Sequence, residues 1–299
     1  MRFAHLTRRF VPCALALCVI AAVHLTEPAV NGFVLRIFHV GRGVVETGKG
    51  KAFVLLPFTA FLAARCAWYL LGLAAVRRLL GNWRSWRAEW PRAIRWLFIG
   101  LLTGTCAMGS IIVTLAFFRC GYIDYLQSST AFALLVALGW VGCSVVGAAA
   151  EEVLYRGMIL STLERLGGKS FAIVGSAAAF ALSHLGNPGV TKLWLLRLFL
   201  QGMLLAWAVF RTGSLWWSIG YHAGWNFGSA PLFGVAESGY GVQGHLFTFV
   251  PAGPDWLTGG EVGPEGSVLA FLAMLAAAVV LTNHGRRNND MQPVCIEHS

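Results

Sequence analysis

The sequence predicts an all-α fold, a polytopic transmembrane helical bundle of about eight helices. Hydrophobic residues make up 57% of the 299-residue chain, whereas charged residues make up only 12%. The mean hydropathy is +0.66, and apolar runs of about 17 to 25 residues, long enough to cross a bilayer as helices, recur along the chain. This composition is not that of a soluble globular domain, so the lipid bilayer is the first partner that we expect.

The predicted membrane spans follow one another along the chain. They lie near residues 10–25, 52–76, 96–118, 131–160, 171–186, 193–210, 215–235 and 267–282. The first run follows three arginines and could also be a signal peptide, but its end, "AAVHLTEPA", is a poor small-residue cleavage site. We therefore favour an uncleaved first helix.

Basic residues are distributed as membrane-topology signals. The net charge of +10 would also suit nucleic acid, but six arginines crowd the connection between the second and third spans: Arg77, Arg78, Arg84, Arg87, Arg92 and Arg95. The long loop 236–266 carries no lysine or arginine. By the positive-inside rule, the connection is cytoplasmic and the loop is external. Threading eight spans between them predicts a multi-pass protein of the cell membrane with both termini in the cytoplasm and no nucleic-acid partner.

Four ionisable side chains interrupt the apolar runs. Of 13 acidic residues, only Glu151 and Glu152 fall well inside such a run, and of eight histidines only His184 and His222 clearly do. An ionisable group at membrane depth costs about 2.5 to 3.5 kcal/mol on insertion scales, which makes it a candidate for function. A single histidine on an apolar helix is about as often a hydrogen-bonded core residue, but four such groups together indicate a site.

Helical geometry separates the two adjacent glutamates. Glu152 and Arg156 are four residues apart and share a helix face, so they can form an ion pair. Glu151 points about 100° away from Glu152, which leaves it available for chemistry. A purely structural role for the Glu152–Arg156 pair is as compatible with the sequence as a catalytic one.

Three predicted helices bring polar side chains to a similar depth. With a rise of about 1.5 Å per residue, the distances from the cytoplasmic helix ends are about 18 Å for Glu151, 20 Å for His184, 12 Å for His222 and 18 Å for Asn226. These depths bracket the middle of a hydrocarbon core about 30 Å thick. Phe180 shares a helix face with His184 and is predicted to pack beside it.

This set of groups has the parts needed for hydrolysis. A carboxylate can activate water, while imidazole or carboxamide donors stabilise an oxyanion. Two histidines and a glutamate also match one catalytic zinc ligand set, so a divalent metal such as Zn held by His184 and His222 remains an alternative. Arg65 and Arg197 also lie in apolar runs and are predicted to bind carbonyl groups or each other.

Three short patterns occur in order at transmembrane depth. "EEVLYR" (151–156) fits E-E-x-x-x-R, "FALSH" (180–184) fits F-x-x-x-H, and "HAGWN" (222–226) fits H-x-x-x-N. Together they resemble the CAAX protease and bacteriocin-processing (CPBP) family of intramembrane endopeptidases. The resemblance covers residues 140–227, less than a third of the chain.

The resemblance implies a role for each residue. Glu151 would activate water, His184 and His222 would polarise it or bind metal, and Asn226 would help to hold the oxyanion, while Glu152 and Arg156 would support the site. The substrate would be a membrane-associated protein or peptide: eukaryotic relatives trim prenylated C-termini, and bacterial ones are linked to processing or immunity peptides.

We therefore divide the chain into N-terminal transmembrane helices with the basic connection (1–130), CPBP-like catalytic core helices (131–235), and the external loop, last helix and cytoplasmic tail (236–299). The external loop could be a lid or a flexible connection. Two other functions stay open. A proton-coupled transporter would use both glutamates as a relay, but it usually shows two related halves, and a catalytically idle immunity or scaffold protein would keep the fold without the reaction.

Overall fold

The computed structural model describes residues 2–37, 39, 44–47, 50–81, 90–125 and 130–289. The middle of the predicted basic connection, 82–89, and the tail after 289 lie outside the described residues. The helices are α1 (Arg2–Ile37), α2 (Leu55–Leu79), α3 (Trp90–Phe117), α4 (Thr130–Glu152), α5 (Leu160–Gly167), α6 (Lys169–Leu182), α7 (Lys192–Thr212), α8 (Trp216–Phe233), α9 (Asp255–Thr258) and α10 (Leu269–Asn289). The predicted helical bundle is confirmed.

Five stretches of helix are long and apolar enough to cross a membrane among the residues described: Phe10–Ile37, Leu55–Leu79, Trp90–Phe117, Ala131–Gly167 and Lys192–Thr212. The fourth stretch is continuous because a π-helical segment, Val153–Ile159, joins α4 to α5. Helix α6 and residues Leu269–Asn283 form shorter apolar helices. Helix α8, which carries His222 and Asn226 among several glycines and serines, is not among these five stretches.

Short β-strands, which the sequence patterns did not predict, gather at one end of the bundle. They are β1 (Val44–Thr47), β2 (Gly50–Phe53), β3 (Gly121–Tyr125), β4 (Gly241–Val242) and β5 (Phe247–Pro251). Strand β2 pairs with β1 and β4, and β3 pairs with β5. The loop 236–266 is therefore folded onto the connections 44–53 and 121–125. We call these three segments the strand-bearing end.

The opposite end of the bundle brings together the residues around 77–81, 164–169, 210–214 and 282, which we call the basic end. Arg165 Nη1 donates a hydrogen bond of 2.5 Å to the carbonyl oxygen of Leu80. Arg211 Nη2 donates one of 3.3 Å to the carbonyl oxygen of Thr282. Lys169 Nζ lies 4.9 Å from the ring centroid of Phe210 and connects these two pairs. Together the contacts place the C-terminal end of α2, the α5–α6 junction, the α7–α8 junction and α10 on one side, as the predicted up-and-down threading requires.

Helices α3 and α8 pack at backbone contact because glycines face each other. A Cβ atom at Gly224 would overlap the carbonyl oxygen of Leu101, and one at Gly104 would overlap that of Tyr221. Small residues spaced four apart allow membrane helices to approach this closely. The glycines therefore fix the position of α8, which carries His222 and Asn226.

The prediction that Arg65 and Arg197 bind carbonyl groups or each other is wrong for Arg65 and incomplete for Arg197, which donates to the side-chain carbonyl oxygen of Gln201 and also binds a carboxylate. Arg65 Nε lies 3.7 Å from Oε1 of Glu27, and Arg197 Nη2 donates a hydrogen bond of 2.6 Å to Oε2 of Glu265. The sequence patterns did not indicate either of these carboxylates as a partner. Glu27 lies where α1 extends beyond the predicted span, and Glu265, only 2% exposed, belongs to the loop that was predicted to be external. Pairing compensates the buried guanidinium of Arg197 and the partly buried one of Arg65 for their lost hydration.

Candidate active site

The two adjacent glutamates are the last residues of α4, directly before the π-helical segment. Such segments occur often at functional sites because the wider turn displaces the side chains that follow. The predicted ion pair is present although Arg156 lies in the π-helical segment and not in an ideal α-helix: its Nη1 donates a hydrogen bond of 3.0 Å to Oε1 of Glu152. Arg156 Nη2 donates a second one, of 3.3 Å, to the carbonyl oxygen of Gly202 in α7.

Glu152 also contacts a histidine, which the sequence did not indicate. Its Oε1 lies 3.0 Å from Nδ1 of His222, and its side chain is completely buried. Because a carboxylate only accepts hydrogen bonds, Nδ1 carries the proton in this contact. The contact fixes the imidazole ring and turns its other nitrogen, Nε2, towards Glu151.

Glu151 lies on the open side of the same ring. Its side chain is 23% exposed, and its Oε2 lies 3.8 Å from Nε2 of His222. That distance is too long for a direct hydrogen bond but suits two groups that share a bridging water. Among the described residues, no donor binds Oε2 of Glu151. The carboxylate and the imidazole can therefore both accept hydrogen bonds from one water molecule.

His184 lies in the turn after α6 and not in a helix, because α6 ends at Leu182 and not near 186 as predicted. Its Nδ1 donates a hydrogen bond of 2.8 Å to the carbonyl oxygen of Phe180. The ring of Phe180 lies 4.9 Å from that of His184 and 5.8 Å from that of His222. Cζ of Arg156 stacks on the same ring at 4.5 Å. Phe180 is therefore the packing element between both histidines and the buried ion pair.

A cavity of about 600 Å³ connects the predicted site residues. Glu151, His184, His222 and Asn226 all line it, so the structure brings together four side chains from two helices, α4 and α8, and from the turn after α6. Glu152, Arg156 and Phe180 lie behind its wall.

Sequence reasoning missed several lining residues. Tyr155 lies inside the first motif, and Glu237 and Ser238 lie in the long loop. An aromatic wall comes from Phe53, Phe58, Phe61, Trp140 and Tyr240. Only Tyr155 had a signal, its place between Glu151 and Arg156. The others meet through long-range contacts that leave no periodic pattern in the sequence.

The donor groups do not fit a catalytic zinc site in this arrangement. Within the described parts of the chain, no three or more His, Cys, Asp or Glu side chains are grouped so that they could hold a metal ion. We therefore derive no step through a metal.

Comparison with known proteins finds a match in the part of the chain that contains the candidate active site. Residues 133–228 match the family model described as type II CAAX prenyl endopeptidase, Rce1-like. The match contains all seven predicted site residues and confirms the predicted resemblance. No curated protein and no solved structure matches the chain.

Proposed function

Since residues 133–228 form an Rce1-like domain, consistent with the CPBP family of membrane-embedded proteases, we propose that the protein is an intramembrane endopeptidase in which Glu151 activates the water that hydrolyses a peptide bond. The family match supports a protease in general terms. The family match does not assign roles to individual residues, and we propose these from the geometry of the cavity.

The observation that carries this proposal is the position of Glu151 relative to His222. Their facing atoms, Oε2 and Nε2, are 3.8 Å apart at the wall of the cavity. A water molecule held between two acceptors directs a lone pair away from both, towards a bound peptide carbonyl. Glu151 accepts the proton as the water oxygen bonds to the carbonyl carbon.

The remaining groups act on the tetrahedral intermediate. Asn226 lies one helical turn after His222 on the cavity wall, and its side-chain amide can donate a hydrogen bond to the oxyanion. His184 faces the same space, and because its Nδ1 donates to Phe180, its Nε2 is an acceptor that can polarise the attacking water. When the C–N bond breaks, the proton on Glu151 moves to the leaving amine, which restores the carboxylate.

Glu152 and Arg156 are assigned a positioning role. Neither lines the cavity, but the chain of contacts from Gly202 through Arg156 and Glu152 ends at Nδ1 of His222. This chain joins α7, the π-helical segment, α4 and α8. It would hold the imidazole in the tautomer that leaves Nε2 available to the water.

The experiment that tests the function compares protein termini. N- and C-termini of the membrane proteome of the native host would be compared by mass spectrometry between cells that carry the parent protein and cells that carry Glu151→Gln. Glu261→Gln is the matched control, because Glu261 is exposed and does not line the cavity. A terminus lost only with Glu151→Gln identifies the substrate. Identical termini in all three strains would favour an idle scaffold or a transporter, and proton flux into liposomes would separate those two.

A further inference from the structure

The cavity reaches one end of the bundle only. Its lining includes six residues of the strand-bearing end: Val44, Lys51, Phe53, Glu237, Ser238 and Tyr240. None of the described residues of the basic end lines it. The catalytic candidates therefore share their space with the β-strands and the long loop, and not with the arginine-rich connections.

One face of α4 forms the wall that leads down to Glu151. Trp140, Ser144, Gly147 and Glu151 recur at intervals of three or four residues and all line the cavity. The small side chains at 144 and 147 leave room beside the helix. The distance from Trp140 to Glu151 is about three helical turns, or about 16 Å.

Helix α2 and the strands provide the opposite wall. The rings of Phe53 and Phe58 stack with their centroids 3.8 Å apart, and Tyr240 lies 4.9 Å from Phe53. These aromatic faces suit apolar side chains of an extended peptide. Because Phe53, Phe58 and Tyr240 lie outside residues 133–228, this wall is not part of the matched domain.

The solvent exposure of the residues that line the cavity falls from the strand-bearing end to the candidate active site. Val44 is 40% exposed and Lys51 is exposed, whereas the side chain of His222 is 7% exposed. Beyond the site, towards the basic end, the space is filled. Arg156 and Met158 are fully buried, and Phe180 is 1% exposed.

The distribution of lysine and arginine assigns the basic end and the strand-bearing end to opposite sides of the membrane. Six arginines occur in the connection 77–95, whose described residues 77–81 belong to the basic end, and this makes that end cytoplasmic. In sequence, the connection 38–54, which contains β1 and β2, carries only Arg42, Lys49 and Lys51, and the loop 236–266 carries no lysine or arginine. The strand-bearing end therefore faces away from the cytoplasm.

We propose that the substrate reaches Glu151 from the non-cytoplasmic face, so that the scissile bond belongs to an extracytoplasmic segment of a membrane-anchored polypeptide. This inference rests on the proposed function. A segment held on the cytoplasmic face would meet the filled basic end, whereas an extracytoplasmic one can follow the groove between α2 and α4. The cleaved piece would leave on the non-cytoplasmic side.

Thiol labelling tests the direction of access without a substrate. In a variant whose native cysteines are replaced, Ser144→Cys places one thiol in the cavity and Ser170→Cys places one at the exposed start of α6, at the basic end. A membrane-impermeant methanethiosulfonate would be added to right-side-out and to inside-out vesicles. We expect Ser144→Cys to react at least about tenfold faster in right-side-out vesicles and Ser170→Cys to show the opposite preference.

Two results would overturn the inference. One is a cavity thiol that reacts only in inside-out vesicles, and the other is a cavity thiol that reacts in neither preparation while Ser170→Cys is labelled. If the cysteine-free chain does not fold, the amine at the new N-terminus of the substrate, found by comparing termini, would be labelled with an impermeant reagent instead. Its reaction in right-side-out vesicles supports the inference, and its reaction only in inside-out vesicles contradicts it.

The proposed protease function and the proposed direction of access can be contradicted independently of each other. Labelling reports access whether or not a bond is cleaved, so loss of the proteolytic function would leave the labelling pattern unchanged. Conversely, a terminus that depends on Glu151 would keep the protease proposal even if labelling showed cytoplasmic access.

Discussion

Nδ1 of His222 lies 3.0 Å from Oε1 of Glu152, the glutamate that does not face the cavity. The same oxygen accepts a hydrogen bond from Arg156. One buried carboxylate therefore neutralises a cation and orients an imidazole. These two roles can be separated experimentally, because only the first requires a negative charge.

Two double variants separate the charge of Glu152 from its contact with His222. Glu152→Gln/Arg156→Met and Glu152→Leu/Arg156→Met both remove the buried ion pair, and replacing both members avoids leaving an unpaired buried charge. Only glutamine keeps an acceptor for Nδ1 of His222. We expect similar melting temperatures but hydrolysis about 10²-fold slower in the leucine variant, because the imidazole loses its orientation. Equal rates would show that the contact with His222 has no catalytic importance.

Glu265 holds the long loop against the bundle. Its Oε2 binds Arg197 and, at 3.2 Å, Nε1 of Trp225, while its Oε1 accepts a hydrogen bond of 2.5 Å from the backbone N–H of Ser238. Glu265→Gln should lower the free energy of unfolding by about 3 to 5 kcal/mol because it leaves the Arg197 guanidinium buried without a counter-charge. Thermal unfolding in detergent measures this effect. The control Glu261→Gln should change little, and an equal loss in both variants would contradict the assigned role.

Glu237 gives the protein a pH-dependent stability. Burial and the neighbouring carboxylates of Glu265 and Glu151 raise the pKa of Glu237 from 4.5 to about 8. The unfolded chain therefore releases this proton at lower pH than the folded one, and the contribution of Glu237 to stability is full below about pH 4.5 and falls as the pH rises towards 8. The slope is at most about 1.4 kcal/mol per pH unit.

Glu237→Gln should remove this dependence. The variant should match the parent near pH 4 and melt at a higher temperature than the parent near pH 9, since glutamine has no proton to lose. Melting curves across this range in detergent are the measurement. A parent and a variant whose melting temperatures change in parallel with pH would contradict the assignment.

Gly224 tests whether close packing of α3 and α8 positions the site. A methyl group at this position meets the backbone of Leu101, whereas one at Gly142 in α4 meets nothing within 4 Å. Gly224→Ala should cost about 1 to 3 kcal/mol and slow hydrolysis, because α8 must move with His222 and Asn226. Gly142→Ala should be neutral or slightly stabilising. Equal melting temperatures and rates in the two variants would show that the glycine contacts do not fix α8.

The sequence predicted those features that follow from local patterns. Apolar runs located the helices, and helical periodicity placed Arg156 beside Glu152 and directed Glu151 elsewhere. Counting helical rise brought Glu151, His184 and His222 to a similar depth, and all three line one cavity. These arguments need only the geometry of single helices and the thickness of a bilayer, although His184 reaches the cavity from a turn and not from the predicted helix.

Features that depend on distant segments were not predictable in this way. The partners of Arg65 and Arg197 are separated from them by 38 and 68 residues in the chain. Glu265 lies in a loop of glycines and prolines where neither period 2 nor period 3.6 can be recognised, and the aromatic wall joins a β-strand to a helix and a loop. The π-helical segment was also not predicted, because the composition of "VLYRGMI" does not distinguish it from an α-helical sequence.

The most direct test of the account is the hydrolysis rate of the purified protein in liposomes, measured with the substrate identified from its termini. Parent and Glu151→Gln would be compared at equal folded concentration, with matching melting temperatures as the proof of folding. Because glutamine keeps the shape of the side chain but cannot accept the proton of the attacking water, the rate should fall by at least about 10³-fold. A folded Glu151→Gln variant that hydrolyses the substrate within a few-fold of the parent rate would contradict the central claim.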